Sequence, residues 1–574
     1  MKEKTMKFLK SNLLFAFLLN TIILAFCIQI SSFSYDTTKD FYDSIYICQQ
    51  HYYYDNVINF FLATLVGSAQ FVLNNFNAFV LTQVMMSLLG FISITYVFAD
   101  KFGKLPACIF ALLINILFAL NHYADIQGTK TAALLYAAGF LLVLNSIRNK
   151  RYNIFCWIGV TEILFASFFN YQYFYVALLF AIAFFFAEMI VKGKYKIRFR
   201  KFFWFFRPFL LLFVFITAIV ICGYQYTYSV NNSSQEAANY YEYCQLTDSI
   251  DRNLYPNYDD HEEDFINVGL TKNDYQLLKS GYYDETTPLN LDALRLVNKI
   301  QQEESKKTIL TSFTEIFTDF TTHLFSFDCT ALLFIVVLLL TIGFIAVHKT
   351  KFILYPIFYL IAALISSTTI RYLYDNSLYF IYGLWVLFTI LLIYSINTEE
   401  LKKPISKKCG KKLFSNKISI INSFIILVVL FSLQCVVYQL HLNTPTEKKK
   451  PSSLYTEVER HPECYYVIDP NTFEQYLKFT DNYVHPLWGF KRSYLNNVDS
   501  FGFTHNERQL IKHNLPTNIY QAVLTNKKIY VIDNSITFRK ERFLKSHYAK
   551  NDDAVTYVQQ KELNGFKIYS VETE

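Results

Sequence analysis

Residues 35–56, YDTTKDFYDSIYICQQHYYYDN, crowd Asp36, Asp40, Asp43 and Asp55 together with His51 and a cluster of tyrosines that includes Tyr53. Carboxylates and imidazoles move protons, and this stretch follows an apolar run (11–33) where a bilayer would give way to water. It is therefore either a solvated loop or a site for proton transfer. Asp36 and Asp40 stand one turn apart if the loop is helical. A second polar stretch, NHYADIQGTKTAALL at 121–135, brings His122, Asp125 and Lys130 within a few residues of one another. A third, STTIRYLYDNSLYF at 367–380, carries Arg371 and Tyr372. A guanidinium offers a planar fork of donors that matches phosphate oxygens. Plainer roles stand beside these: Lys130 snorkelling at the end of an apolar run, and Arg371 pairing with Asp375 across a short loop.

Two weaker candidates remain. DDHEED at 259–264 could hold a divalent metal through oxygens, although such a run is more often a solvated face. Glu162 is a carboxylate deep in an apolar run and could bond Asn170 or nearby hydroxyls. No GxGxxG, P-loop, HExxH or GxSxG pattern occurs, which leaves a nucleotide-driven mechanism without support. No other cofactor is implied.

The elements that must position these groups are apolar. The chain has 574 residues, 53% hydrophobic and 18% aromatic, too greasy for an ordinary soluble protein. Runs long enough to cross a hydrocarbon core are expected at 13–33, 78–98, 105–121, 131–147, 153–170, 173–191, 208–227, 329–347, 352–370, 376–396 and 418–440. This makes a polytopic α-helical membrane protein with eleven spans. The first run reads as a retained signal-anchor. Residues 57–75 form a twelfth apolar segment, assigned to a helix lying along the outer face. With that choice the basic residues sort to one side: Lys2, Lys4, Lys7, Lys10, Lys101, Lys104, Arg148, Lys150, Arg151, the run 192–201, Lys349, Lys351 and the run 402–412. The short loops of the other side keep only Lys39, Lys130 and Arg371. The bias places the N-terminus in the cytoplasm and the C-terminus outside the cell membrane. It also explains the net charge of +7 without nucleic acid as a partner.

The transmembrane module is expected to fill 1–440 and to include an outer loop at 228–327. Thr271-x-x-Asp274 predicts a capping box that opens a helix closed by Gly281, a second helix follows at 291–304, and 308–327 is a further amphipathic helix. Residues 441–574 predict a small extracytoplasmic α/β domain, with strands at 465–469, 528–533 and 566–571 alternating with helical FEQYLKF, NIYQAVL and FRKERFLKSHY. YVID occurs twice, at 466–469 and 530–533, and reads as convergent strand chemistry. The 10 cysteines show no CxxC spacing, and Cys48, Cys244 and Cys464 of the outer regions read as free thiols.

The order of features (basic tail, one span, acidic outer loop, amphipathic stretch) resembles the GT-C superfamily of multi-pass glycosyltransferases. QQHYYYDN, GLTKNDYQLLKSGYYDE and TKTAALLYAAG look similar to bacterial membrane proteins of this kind. The resemblance implies a polyprenyl-phosphate-linked sugar donor and a cell-surface glycan or lipid-linked acceptor, with membrane lipids around both. It makes Asp36 the catalytic base, with Asp40 beside it. It places His51, Tyr53, His122, Asp125 and Lys130 along the substrate site and gives Arg371 and Tyr372 to the donor phosphate. The chain departs from the pattern in two places: its carboxylates are four residues apart, and no His-Pro or Leu-Pro accompanies Arg371. An O-antigen-type polymerase or ligase, or a lipid-linked glycan transporter, are the alternatives. Transport is disfavoured because Glu162 stands nearly alone within the spans.

Overall fold

The computed structural model describes residues 11–30, 59–73, 78–124, 126–149, 154–191, 199–251, 255–304, 311–316, 318, 337–342, 344–345, 350–374, 378–396, 457–458, 460–472, 497–502, 507–535, 537–549, 554–563 and 565–573. It is mainly helical, with a small sheet near the C-terminus.

The apolar helices are α1 (Asn12–Ile30), α2 (Phe60–Val72), α3 (Ala78–Phe102), α4 (Lys104–Ala124), α5 (Gly128–Arg148), α6 (Ile154–Phe169), α7 (Gln172–Val191) and α8 (Phe199–Asn231). Four helices of a polar segment follow: α9 (Gln235–Asp251), α10 (Glu262–Asn267), α11 (Lys272–Lys279) and α12 (Leu291–Glu304). Two more apolar helices are α13 (Leu354–Tyr374) and α14 (Leu378–Ser395). Five stretches are long and apolar enough to cross a membrane: α3, α5, α7, Phe213–Val230 of α8 and Leu354–Tyr372 of α13. The apolar windows of α1, α4, α6 and α14 are shorter. All nine of these helices fall on expected spans. The span at 418–440 lies outside the described residues, and so does most of 329–347.

Helix α5 is the axis of the bundle, buried along almost its whole length. Its sequence is apolar all round and rich in small residues, so other helices pack on every side of it. Gly139 and Gly159 set its crossing with α6. A Cβ on Gly139 would stand 2.5 Å from the Gly159 carbonyl oxygen, and one on Gly159 would stand 2.7 Å from that of Gly139. Only glycine at both positions lets the two backbones approach so closely. Between α1, α3 and α4 the contact is polar. The Asn115 amide donates to Asn20 at 2.9 Å, and the Asn20 amide donates to Thr95 at 3.0 Å.

The contacts define two ends of the bundle. At one, Lys101 lies 4.2 Å from the Tyr394 ring centroid and Arg148 lies 5.9 Å from it, while the hydroxyls of Tyr359 and Ser395 are 2.8 Å apart. This end gathers the C-termini of α3, α5 and α14 and the start of α13. At the other end Phe79 meets Phe169 at 6.4 Å and Tyr171 meets Tyr224 at 4.3 Å. Helix α2 belongs to that second end. The Asn59 amide donates to the Phe168 carbonyl at 2.9 Å, and Phe61 stacks on Tyr226 at 5.5 Å. Thirteen residues reach only about 20 Å at 1.5 Å per residue, short of a hydrocarbon core of about 30 Å. The chain then starts α3 at that same end, so α2 does not run the length of the bundle.

Near the C-terminus lie β1 (Tyr465–Ile468), β2 (Val498–Ser500), α15 (Glu507–Lys512), α16 (Ile519–Thr525), β3 (Ile529–Ile532), α17 (Phe538–His547), β4 (Val555–Leu563) and β5 (Phe566–Thr573). The sheet order is β2-β1-β3-β5-β4, with β1 parallel to both β2 and β3 and the β4–β5 hairpin antiparallel. The two YVID stretches are neighbouring strands in matched register, Tyr466 beside Tyr530 and Ile468 beside Ile532. Side chains alternate across the sheet. Tyr465, Val467, Ile529 and Val531 join an apolar core with Phe265, Leu277, Leu294 and Val297 of the polar segment. Tyr466, Ile468, Ile532 and Ile568 belong to the apolar cluster of the bundle.

Residues 255–304 and the C-terminal strands thus share one core. The expected capping box at Thr271 and Asp274 is present, Gly281 (φ 85) follows the end of α11, and α12 keeps the expected bounds. Segment 281–284 threads onto the sheet. The Tyr283 amide donates to the Phe501 carbonyl at 3.1 Å, and the Tyr520 hydroxyl donates to the carbonyls of Phe501 at 2.6 Å and Tyr283 at 3.1 Å. The helix expected at FEQYLKF lies outside the described residues, as do most of 308–327 and Cys48; Cys244 and Cys464 are in no disulfide.

Candidate functional site

Asp36, Asp40, His51, Tyr53 and Asp125 lie outside the described residues, as do Asp43, Asp55 and Asp375. The geometry therefore speaks to His122, Lys130, Arg371 and Tyr372.

His122 and Lys130 come together at the second end of the bundle, where α4 turns into α5. His122 Nε2 is 3.2 Å from the Lys130 carbonyl oxygen, and Nδ1 is 3.1 Å from the Tyr382 hydroxyl and 3.0 Å from the Phe118 carbonyl oxygen. One tautomer satisfies most of these groups: Nε2–H donates to Lys130, and Nδ1 accepts from Tyr382. The ring of Phe91 meets the imidazole edge-on at 5.5 Å. Lys130 does not snorkel. Its side chain is buried, with Nζ 5.5 Å from the Tyr382 ring centroid, where a desolvated ammonium gains from the ring's negative face. His122, Lys130 and Tyr382 thus form a packed node joining α4, α5 and α14. In this arrangement the imidazole faces protein groups, and the node fixes the helix ends from which the neighbouring loops spring.

Arg371 occupies the last turn of α13, where a cation complements the helix C-terminus. Its Nε lies 3.2 Å from Glu315 Oε2 on the short helical stretch 311–316. Glu315 stands 56 residues earlier in the chain. Tyr372 is exposed beside it. The contact places the Arg371 end of α13 next to the stretch 311–316.

Glu162 is fully buried between α3 and α6 and accepts from the Ser93 hydroxyl at 2.5 Å. Asn170 contacts Thr129 at 3.4 Å, so of the expected partners a hydroxyl holds Glu162. The DDHEED run is spent on surface contacts, Asp259 with Lys272 at 2.6 Å and His261 with Glu304 at 2.7 Å. Among the described residues no three His, Cys, Asp or Glu side chains are grouped to hold a metal. A small apolar cleft of about 30 Å³ opens between α5, α6, α7 and α8, walled by Tyr136, Phe140, Ile163, Phe174 and Phe213.

The most polar buried cluster was missed by sequence reasoning. Asp469 and Asp533 end the two parallel YVID strands, both fully buried, and Lys540 of α17 reaches between them. Its Nζ is 3.0 Å from Asp469 Oδ1 and also bonds Asp533. The Thr472 amide donates to Asp469 at 3.1 Å, the Ser535 amide to Asp533 at 2.7 Å, and the Tyr282 hydroxyl of the polar segment to Asp469 at 2.7 Å. Every carboxylate oxygen has a partner, which is what allows three charged groups to be dry. The repeated YVID was the available signal, since each copy ends in its Asp. On β2, burial pushes the Asp499 carboxyl up to about 7. It accepts from the Ser500 amide at 2.8 Å and the Tyr465 hydroxyl at 3.1 Å. The cluster is closed on all sides by protein groups and ties β1, β3 and α17 to the polar segment.

Comparison with protein-family models, curated proteins and solved structures returns no match for this chain.

Proposed function

We propose that the chain is an integral-membrane glycosyltransferase of GT-C type, moving a sugar from a polyprenyl-phosphate donor to an acceptor on the outer face of the cell membrane. The observation that carries this reading is where the polar groups gather. The His122–Lys130 node, Arg371 with its carboxylate partner and the shared core of the polar segment lie at one end of an apolar bundle. Lys101, Lys104 and Arg148 mark the opposite end. The bias of basic residues makes that opposite end cytoplasmic. Donor phosphate would then meet Arg371 outside, and the acidic loop that follows α1 would supply Asp36 as base at the same surface. Eleven spans, an inner N-terminus and an outer C-terminus complete the reading.

Chemistry of this kind needs a base for the acceptor hydroxyl and a cation for the departing phosphate. The test is transfer of labelled sugar from polyprenyl-phosphate donors in membrane vesicles carrying the full chain. Asp36→Asn keeps the shape and removes the base, so turnover should fall about 10²–10⁴-fold while donor binding persists. Asp40→Asn should cost less. If both variants transfer sugar at the wild-type rate, the enzyme reading is wrong. Sidedness has its own check: an impermeant thiol reagent should label Ser452→Cys and spare Ser406→Cys in intact cells.

A further inference from the structure

We infer that Glu315 is an internal stand-in for the donor phosphate, holding the Arg371 guanidinium until the donor displaces it. This rests on the phosphate-binding role proposed for Arg371 and adds its regulation. The 3.2 Å contact from Nε to Oε2 gives the guanidinium an oxyanion partner of the chemical kind that a phosphate would present. Both side chains are partly open to solvent, Arg371 at 23% and Glu315 at 37% exposure. A pair so placed is weak, worth about 0.2–1 kcal/mol in general, and yields to an anion that offers more oxygens at the same fork. Glu315 lies on a short helical stretch, 311–316, that follows α12 closely in sequence. The stand-in therefore belongs to a different part of the chain from the helix that carries Arg371, and it can leave without unwinding α13. Its effect is to lower donor affinity and to keep an empty site from trapping other anions.

The probe is farnesyl monophosphate in dodecyl maltoside micelles with the full-length protein, with farnesol as the control lacking phosphate. Glu315→Gln removes the competing charge and keeps the shape, so binding should tighten about 1.4- to five-fold, the exchange of a 0.2–1 kcal/mol pair at 1.4 kcal/mol per decade. A gain of affinity cannot come from misfolding. Arg371→Ala should weaken binding at least tenfold, Arg371→Lys should recover part of it, and Glu315→Gln should add nothing in the Arg371→Ala background. If Glu315→Gln binds no tighter than wild type while Arg371→Ala still loses the probe, the stand-in is refuted and the phosphate role survives. If the wild type binds farnesyl monophosphate no better than farnesol, the phosphate role fails and the stand-in fails with it.

Discussion

The apolar bundle and the unit built from residues 255–304 with the C-terminal sheet solve the same problem by opposite means. In the bundle, closeness comes from small residues: Gly139 on Gly159, alanines along α5. Its polar contacts include the Asn20–Thr95–Asn115 clamp, the Glu162–Ser93 bond and the His122–Tyr382 pair. The other unit joins segments 187 and 266 residues apart and does so with polar groups, Tyr282 on Asp469 and Asn273 on the Arg539 carbonyl. Without a hydrophobic drive between helices in lipid, shape decides. Where water competes, burial supplies the drive and satisfied polar contacts choose the partner.

Substitutions that strike one half and spare the other break this contrast. The largest effect is expected from Lys540→Met, which strands two buried carboxylates at a cost of about 3–5 kcal/mol. Protease should then cut residues 457–573 at temperatures where the bundle helices stay protected, and simultaneous loss of both would show that the halves are not separate. Asp499 gives a pH-dependent version. Its carboxyl titrates at about 7 in the folded state against an ordinary 3.8, so the folded form binds the extra proton. Stability should therefore be highest at acid pH and fall as pH rises from about 4 to 7, with a ceiling of about 4 kcal/mol at 1.36 kcal/mol per unit. Thermal unfolding against pH should show this slope in the wild type and a flatter profile in Asp499→Asn.

Gly139→Val makes the converse cut. Its Cβ meets the Gly159 backbone, so the bundle should lose about 1–3 kcal/mol while the sheet keeps its protease resistance. A variant that left the bundle's melting in detergent unchanged would mean that α5 and α6 do not cross at these glycines. The smallest effect is expected from Tyr282→Phe, about 1.5 kcal/mol for one hydrogen bond to a charged group. It should raise amide exchange of α11 and α12 before it touches α3 or α5.

The same contrast divides what the sequence made legible. Helix positions in the bundle were readable because hydropathy is a local property. Nine expected spans have their helices, and within 57–75, expected as a helix along the outer face, stands α2, 13 residues long. The capping box at Thr271, the helix at 291–304 and the three strands were readable for the same reason. Partners were not. The Glu315 carboxylate that meets Arg371 stands 56 residues earlier in the chain, and Lys130, expected at the substrate site or snorkelling at the end of its run, is buried beneath Tyr382 of α14. Neither YVID showed that its Asp would share one lysine, because the helix that crosses the two strand ends is brought there by long-range packing that four residues do not encode. Of the candidate site, the residue types were legible; which groups close on one another depends on chain reversals that local periodicity does not encode.

Segment 281–284 clasped by Phe501 and Tyr520 also makes the polypeptide a closed circuit. The backbone leaves the clasp after Glu304, builds α13 and α14, and returns to it at β1. A protease nick anywhere along that excursion opens the covalent chain without parting the pieces, which should travel as one particle through a sizing column in detergent and separate only on denaturing gels. The two pieces made from separate genes should find each other by the same contact.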